Sequence, residues 1–451
     1  MELAEINQLA TRLRHVQVET VLLPILIQLM LIIIVARCFA WISGYLKQPQ
    51  AVGEIAAGLI LGPSFLGRCF PETYSSIFQP VISDIELQPL FATTLHWIFT
   101  ILSQIGLVLL LFLIGLEFDF SHLKSKGKAA AMISFFGIAA PFSLGVGLAY
   151  LIYPIVADAS IPFLGFSLFV GTAMSITALP MLGRMMMEMG ITNSRIGVIT
   201  ISAAAVNDAM GWIILATIAA FVRGQFSIHD VAFMILSSVG FAVVVLLLAA
   251  PALRKWASKN AKNFTSMTMA LLLSLVFLCA IVTNVIGIFA IFGAFLLGAA
   301  LSSETEFSQA VSAKLHDFVM VFFLPIFFTY TGLRTRVDAV DTPMLWAVCA
   351  AVIAVAIIGK FCGCGLAAKL SGFSNRESVC IGAMMNTRAL MELVVINIGK
   401  DLGVIPDSVF TMLVLMALIT TVMTTPLLLR FMKGTELEAL VNTSGFHKKA
   451  I

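Results

Sequence analysis

The chain has 451 residues, 60% of them hydrophobic and 11% charged, with a formal net charge of +3. That balance excludes a water-soluble globular domain and leaves no basic surface of the kind that binds nucleic acid. Lipid tolerates only helices and closed barrels, and the apolar runs are of helix length, so the expected fold is an all-α polytopic membrane protein. Seven cysteines are scattered through the chain. Cys362-Gly363-Cys364 is the close pair, and without a neighbouring histidine it predicts neither a metal centre nor a cofactor.

Taken in order, residues 1–19 space Ile6, Leu9, Leu13 and Val16 between charges. This is the pattern of an amphipathic helix on the extracytoplasmic membrane surface. The acidic start and the missing short apolar region argue against a cleaved signal. Apolar runs and their breakers then predict about thirteen spans, near 20–46, 51–67, 99–118, 127–153, 161–189, 194–222, 228–251, 265–285, 287–302, 315–334, 343–371, 376–399 and 407–432. The second and ninth are short and glycine-rich, and 85–98 reads as a surface helix. Residues 20–432 are thus a transmembrane domain and 433–451 a short cytoplasmic tail. Lysines and arginines concentrate in alternate loops, among them Lys124, Lys126 and Lys128, then Arg254, Lys255, Lys259 and Lys262, then Lys369 and Arg376. Those loops are expected in the cytoplasm, which leaves the N-terminus outside and the C-terminus inside.

An internal repeat emerges from the spans. Ala57-Gly58-Leu59-Ile60-Leu61-Gly62 resembles Gly293-Ala294-Phe295-Leu296-Leu297-Gly298, Leu113-Ile114-Gly115-Leu116 matches Tyr330-Thr331-Gly332-Leu333, and Ser175-Ile176-Thr177-Ala178-Leu179-Pro180 matches Asn386-Thr387-Arg388-Ala389-Leu390-Met391. The halves are spans 1–6 and 8–13. Six spans plus a linking helix place the copies in opposite orientation, the inverted repeat common among secondary transporters.

One carboxylate, Asp208, stands in the middle of the apolar sixth span beside Asn207. An ionisable group at that depth costs at least ~2.5–3.5 kcal/mol on insertion scales, so its first reading is part of an ion or proton pathway. The bland reading is a protonated, helix-capping or buried-pair aspartate with no transport role. In the fifth span, small and hydroxylated residues including Ser175 and Thr177 precede Pro180, and the twelfth span is polar at the corresponding depth. Two interrupted helices in matching positions point to a cation site, because unwound carbonyls replace a hydration shell. Lys360, deep in the eleventh span, is read as a charge partner for Asp208. Arg388 and Glu392, one turn apart, are read as a structural ion pair. Glu54 and Glu117 are accessory candidates, the latter at the cytoplasmic mouth. No catalytic set appears, since His96, His122, His229 and His316 lie singly near span ends.

Several stretches together resemble the cation:proton antiporter-2 family of bacteria, organelles and plants. They are Gln48 to Glu54 with Leu61-Gly62-Pro63-Ser64, Leu111 to Glu117, Thr177 to Pro180 with Asn193 to Gly197, Val206-Asn207-Asp208, Gly359-Lys360 and Met385 to Arg388. The resemblance implies thirteen helices, a homodimer, and elevator-type movement of a core domain that carries Na⁺ or K⁺ one way and H⁺ the other. It implies a core domain drawn in part from the spans near 99–118, 127–153, 161–189, 194–222, 315–334, 343–371, 376–399 and 407–432, and a dimerisation domain from the remainder. It also implies that Asp208 is the ion and proton site, that Thr177 contributes ligands and that Lys360 pairs with the aspartate. Some relatives carry two adjacent aspartates where this chain has Asn207-Asp208, so one-for-one electroneutral exchange is expected here. The chain stops about nineteen residues after its last span with no Gly-x-Gly-x-x-Gly unit, so no nucleotide-binding domain in cis is expected. The expected protein is a secondary antiporter rather than an enzyme, in a bacterial plasma membrane or an organelle or thylakoid-type membrane. The alternative is a cation channel or a non-transporting ion or pH sensor on the same scaffold, and a channel requires a continuous polar lining.

Overall fold

The computed structural model describes residues 18–46, 48–79, 88–117, 127–158, 160–192, 194–222, 228–388 and 390–444. The amphipathic helix expected within residues 1–19 lies almost wholly outside the described residues, as does the end of the tail. The regular structure among the described residues is helical. It begins with α1 (Val18–Tyr45), α2 (Gln50–Leu61), α3 (Gln88–Glu117), α4 (Gly127–Val156), the half-helices α5 (Phe163–Ser175) and α6 (Leu179–Met189), and α7 (Arg195–Val222). There follow α8 (Ile228–Val243 joined to Ala250–Ala261 by a π-turn), α9 (Ser266–Ile286), α10 (Ala290–Leu301) and α11 (Thr305–Phe318 joined to Leu324–Leu333 by a second π-turn). The chain continues with α12 (Pro343–Leu370), the half-helices α13 (Asn375–Met385) and α14 (Leu390–Asp401), α15 (Asp407–Phe431) and α16 (Glu436–Thr443).

Ten helices among the described residues are long and apolar enough to cross a membrane. With the short α10 and the two broken pairs they occupy the thirteen predicted regions. Three boundaries differ, the first being α8, which runs on to Ala261 past the predicted end near 251. The third span starts at Gln88, so most of the expected surface helix at 85–98 forms its first turns; there the polar His96 is accommodated by Tyr330 Oη at 2.5 Å. α11 starts at Thr305 instead of near 315. Its charges make that stretch read as a loop, yet Phe307 and Val311 are fully buried on its inner face.

Most packing falls within two groups. α4–α7 and α12–α15 pack on one another and carry Asp208; α1–α3 and α8–α11 form a supporting group. α3 and α11, two of the spans from which a core domain was expected to be drawn in part, pack with the supporting group. α16 lies against the Asp208 group, with Leu437 and Val441 buried beside Met189, Ile191 and Ile196. Its Glu436 Oε1 accepts from Ile196 N–H at 2.7 Å, and Ser194 Oγ accepts from Gly197 N–H at 2.8 Å. Two of the unpaired N–H groups at the start of α7 are thereby satisfied.

The inverted repeat is written in duplicated backbone contacts. A methyl group placed on Gly58 would lie 2.1 Å from Thr329 O and 2.7 Å from Gly332 Cα; one on Gly298 would lie 2.2 Å from Phe112 O and 2.9 Å from Gly115 Cα. Likewise Gly53 abuts Phe39 O and Ser43 Oγ as Gly293 abuts Cys279 O and Thr283 Oγ1. Helices approach this closely only where side chains are missing. The correspondence is therefore Gly53 with Gly293 and Gly58 with Gly298, one helical turn away from the register read in the sequence. Small residues recur every four or five positions in both helices, so only packing separates the two registers.

Candidate ion-binding site

α5 stops at Ser175 and α6 begins at Leu179, leaving Ile176, Thr177 and Ala178 outside either helix. Pro180 is the second residue of α6, a position that needs no backbone donor. The helix therefore breaks ahead of the proline instead of kinking around it. α13 likewise stops at Met385 and α14 resumes at Leu390.

The two breaks cross and tie each other down. Ala178 N–H donates to Thr387 O at 3.0 Å, Thr177 Oγ1 donates to Met385 O at 2.9 Å and Arg388 Nη2 donates to Met174 O at 2.6 Å. Neighbouring spans hold the freed backbone. Asn207 Oδ1, on α7, accepts from Thr177 N–H at 3.2 Å. Thr421 Oγ1, on α15, accepts from Arg388 N–H at 3.2 Å and donates to Arg388 O at 2.9 Å.

The C-terminal end of α5 presents unpaired carbonyls and the negative end of a helix dipole. Two fully buried cations meet it. Arg388 Nη1 donates to Ala173 O at 2.8 Å, and Lys360 Nζ donates to Ser175 O and, at 2.7 Å, to Gly137 O. Among the described residues Lys360 and Asp208 make no direct ion-pair contact; their charges act on each other through space, and the ammonium is held by carbonyls. Ser175 O is freed by the end of α5, and Gly137 O by Pro141, which has no N–H to offer it.

Asp208 is the fourteenth of the 28 residues of α7, which at 1.5 Å per residue puts it about 20 Å from either end. It is 5% exposed. Its Oδ1 has no hydrogen-bond partner, nor do Asn207 Nδ2, Asn386 Oδ1 and Thr387 Oγ1. Polar atoms left unsatisfied at such burial are costly unless a ligand completes them. Asp208 thus shows no direct ion-pair contact among the described residues and no hydrogen bond at Oδ1.

The remaining candidates are distributed as follows. Glu392 Oε1 stands 3.6 Å from Arg388 Nη1, and neither Glu392 oxygen is hydrogen-bonded, because the guanidinium is turned towards α5. Ser175 Oγ donates to Thr172 O at 2.9 Å and so closes the end of α5. Glu54 lies on α2 in the supporting group, where its carbonyl accepts from Thr329 Oγ1 at 3.0 Å. Glu117 ends α3, and its side chain lies outside the described residues. Sequence reasoning missed Gly137 and Thr421. Gly137 acts through the carbonyl that Pro141, four residues on in α4, leaves without its helical donor, so that proline was a signal, as are the pairs Thr420-Thr421 and Thr424-Thr425 in an apolar span. Among the described residues no group of three or more His, Cys, Asp or Glu is placed to hold a metal ion. One carboxylate with neutral oxygens suits a singly charged cation or a proton better than a divalent ion, which takes several charged ligands.

Residues 30–430 match the family described as sodium/hydrogen exchanger, transmembrane. The chain is similar to the Na⁺/H⁺ antiporter NhaS4 of Synechocystis sp., with 38% identity over 414 residues, 91% of this chain and 97% of that one. It is 36% identical over 416 residues to cation/H⁺ antiporter 17 of Arabidopsis thaliana, covering 91% of this chain and 49% of that one. The chain thus spans about half the length of that plant relative. Its fold is similar to that of the sodium proton antiporter MjNhaP1 from Methanocaldococcus jannaschii, with a TM-score of 0.67 at 17% identity, covering 93% and 99% of the two chains.

Proposed function

Because this chain belongs to the sodium/hydrogen exchanger family, we propose that it exchanges a monovalent alkali cation, Na⁺ or K⁺, for H⁺, the two competing for Asp208. The observation that carries the reading is the unpartnered Asp208 oxygen at mid-span beside two crossed, broken helices. Thr177, Asn207 and the carbonyls around the crossing complete the cation's shell, while Lys360 and Arg388 hold the end of α5 in place. The Asp208 group moves as an elevator against the supporting group, and a homodimer braces the latter. With Asn207 in place of a second acid, one proton exchanges for one cation and no net charge crosses.

The test is dequenching of a pH-sensitive dye in everted vesicles on adding Na⁺, K⁺, Li⁺ or Rb⁺, comparing wild type with Asp208→Asn. The expected outcome is a signal from the wild type and none from the variant. Equal signals would overturn the site, and a steady current in place of coupled exchange would favour the channel reading. Against a channel, Asp208 Oδ1, Asn207 Nδ2, Asn386 Oδ1 and Thr387 Oγ1 gather at the crossing and the adjoining part of α7, the single site an exchanger needs, whereas a channel needs a continuous polar lining.

A further inference from the structure

At one end of the bundle the two helix groups are tied by side chains. α11, in the supporting group, runs out at Arg334, and the end of α14 lies beside it. Arg334 Nη1 donates to Asn397 Oδ1 at 2.9 Å, and its Nη2 pairs with Asp401 at 2.5 Å. Lys400 Nζ donates to Arg334 O at 3.1 Å, and Asn397 Nδ2 donates to Thr331 Oγ1 at 3.1 Å. All four contacts join the groups within about one turn of each helix. α11 and α12 cross the bundle, so the turn joining α12 to α13 lies at the opposite end. There Arg376 on Lys433 O and Glu436 on Ile196 N–H stay inside the Asp208 group, and Arg254 on Ala300 O and Lys314 on Phe264 O stay inside the support.

We propose that Arg334, Asn397, Lys400 and Asp401 form a latch that closes the face opposite the Lys/Arg-rich loops and opens in each transport cycle. This rests on the reading that the Asp208 group moves against its support. Arg334 is 14% exposed and Asp401 40%, so their pair belongs to the partly solvated class that biases an equilibrium without freezing it. A latch has to be of that strength, since a pair costly to break would stall the cycle. Lys400 also pairs with Asp407 at 2.9 Å, which keeps its charge countered when the contact to Arg334 O is broken.

The decisive experiment joins the groups reversibly. Thr331→Cys and Asn397→Cys are introduced where the exposed Cys38, Cys69 and Cys362 have been changed to Ser, and the pair is bridged by a short bifunctional thiosulfonate in proteoliposomes. Expected is at least a tenfold loss of exchange on cross-linking, with full recovery on reduction, which also shows that the variant folds. Undiminished exchange in quantitatively cross-linked protein overturns the latch and leaves the exchange reading standing. Absence of exchange in the wild type removes that reading and the latch with it. In a second arm, Arg334→Gln and Asp401→Asn each raise the apparent cation affinity measured from the latched face by about two- to fivefold, and the double variant shifts it no further than either single one. Unchanged affinities from that face overturn the proposal.

Discussion

Arg388 donates to the Ala173 and Met174 carbonyls, replacing hydrogen bonds that the interruption of α5 removes, and also to Ala356 O on α12. A lysine offers one point charge where the arginine offers a planar fork. Arg388→Lys is therefore expected to lower stability by about 2–4 kcal/mol, the worth of one or two charge-assisted bonds, seen as a lower melting temperature of the detergent-solubilised protein. Thr177→Val keeps the shape but loses the hydroxyl bond to Met385 O. It should raise the apparent KM for the cation about fivefold, as expected for ~1 kcal/mol, with Vmax nearly unchanged; an unaltered KM would remove Thr177 from the site. Asp208, Asn207 and Thr177 were legible in the sequence because polar side chains are conspicuous in an apolar span. The carbonyl partners of Lys360 were only half legible, because Pro141 marks the free carbonyl of Gly137, whereas folding alone decides that α5 ends at Ser175.

At the scale of elements, the duplicated glycine contacts make a paired prediction. Gly58→Ala and Gly298→Ala each drive a methyl group to about 2.1–2.2 Å from a backbone oxygen, and backbone cannot swing aside as a side chain does. Each variant should lose about 1–3 kcal/mol, by similar amounts, because the repeats place the same contact in both halves. Gly147→Ala, with nothing within 4 Å of the added carbon, should gain up to ~1 kcal/mol from helix propensity. Thermal unfolding of the three variants checks the set. The thirteen spans and their pairing by repeat could be read from hydropathy and glycine spacing. The repeat register was off by a turn because hydropathy is blind to which small residue faces its neighbour, and the start of α11 was missed because its charged outer face masked Phe307 and Val311.

For the molecule as a whole, the proposed exchange, in which two ligands share one carboxylate, fixes the sign of the pH dependence. Protonation removes the charge that binds the cation, so acidification on the side of uptake weakens cation binding. Below the pH at which Asp208 is half protonated, each unit of pH should raise the apparent KM about tenfold while Vmax at saturating cation holds; proteoliposome uptake at several pH values measures it. A fall in Vmax at constant KM would mean that the proton acts elsewhere. The division into two helix groups was only partly visible in the sequence, since α3 and α11 are as apolar as the spans that carry the site and differ from them only in what they touch. The small helix α16 has a practical corollary for anyone trimming the polypeptide. Cutting at Phe431 would strip the cap supplied by Glu436 from Ile196 and bare the greasy footprint of Leu437 and Val441 at the foot of the helix that bears Asp208. A purification handle attached beyond Ser444 leaves both intact.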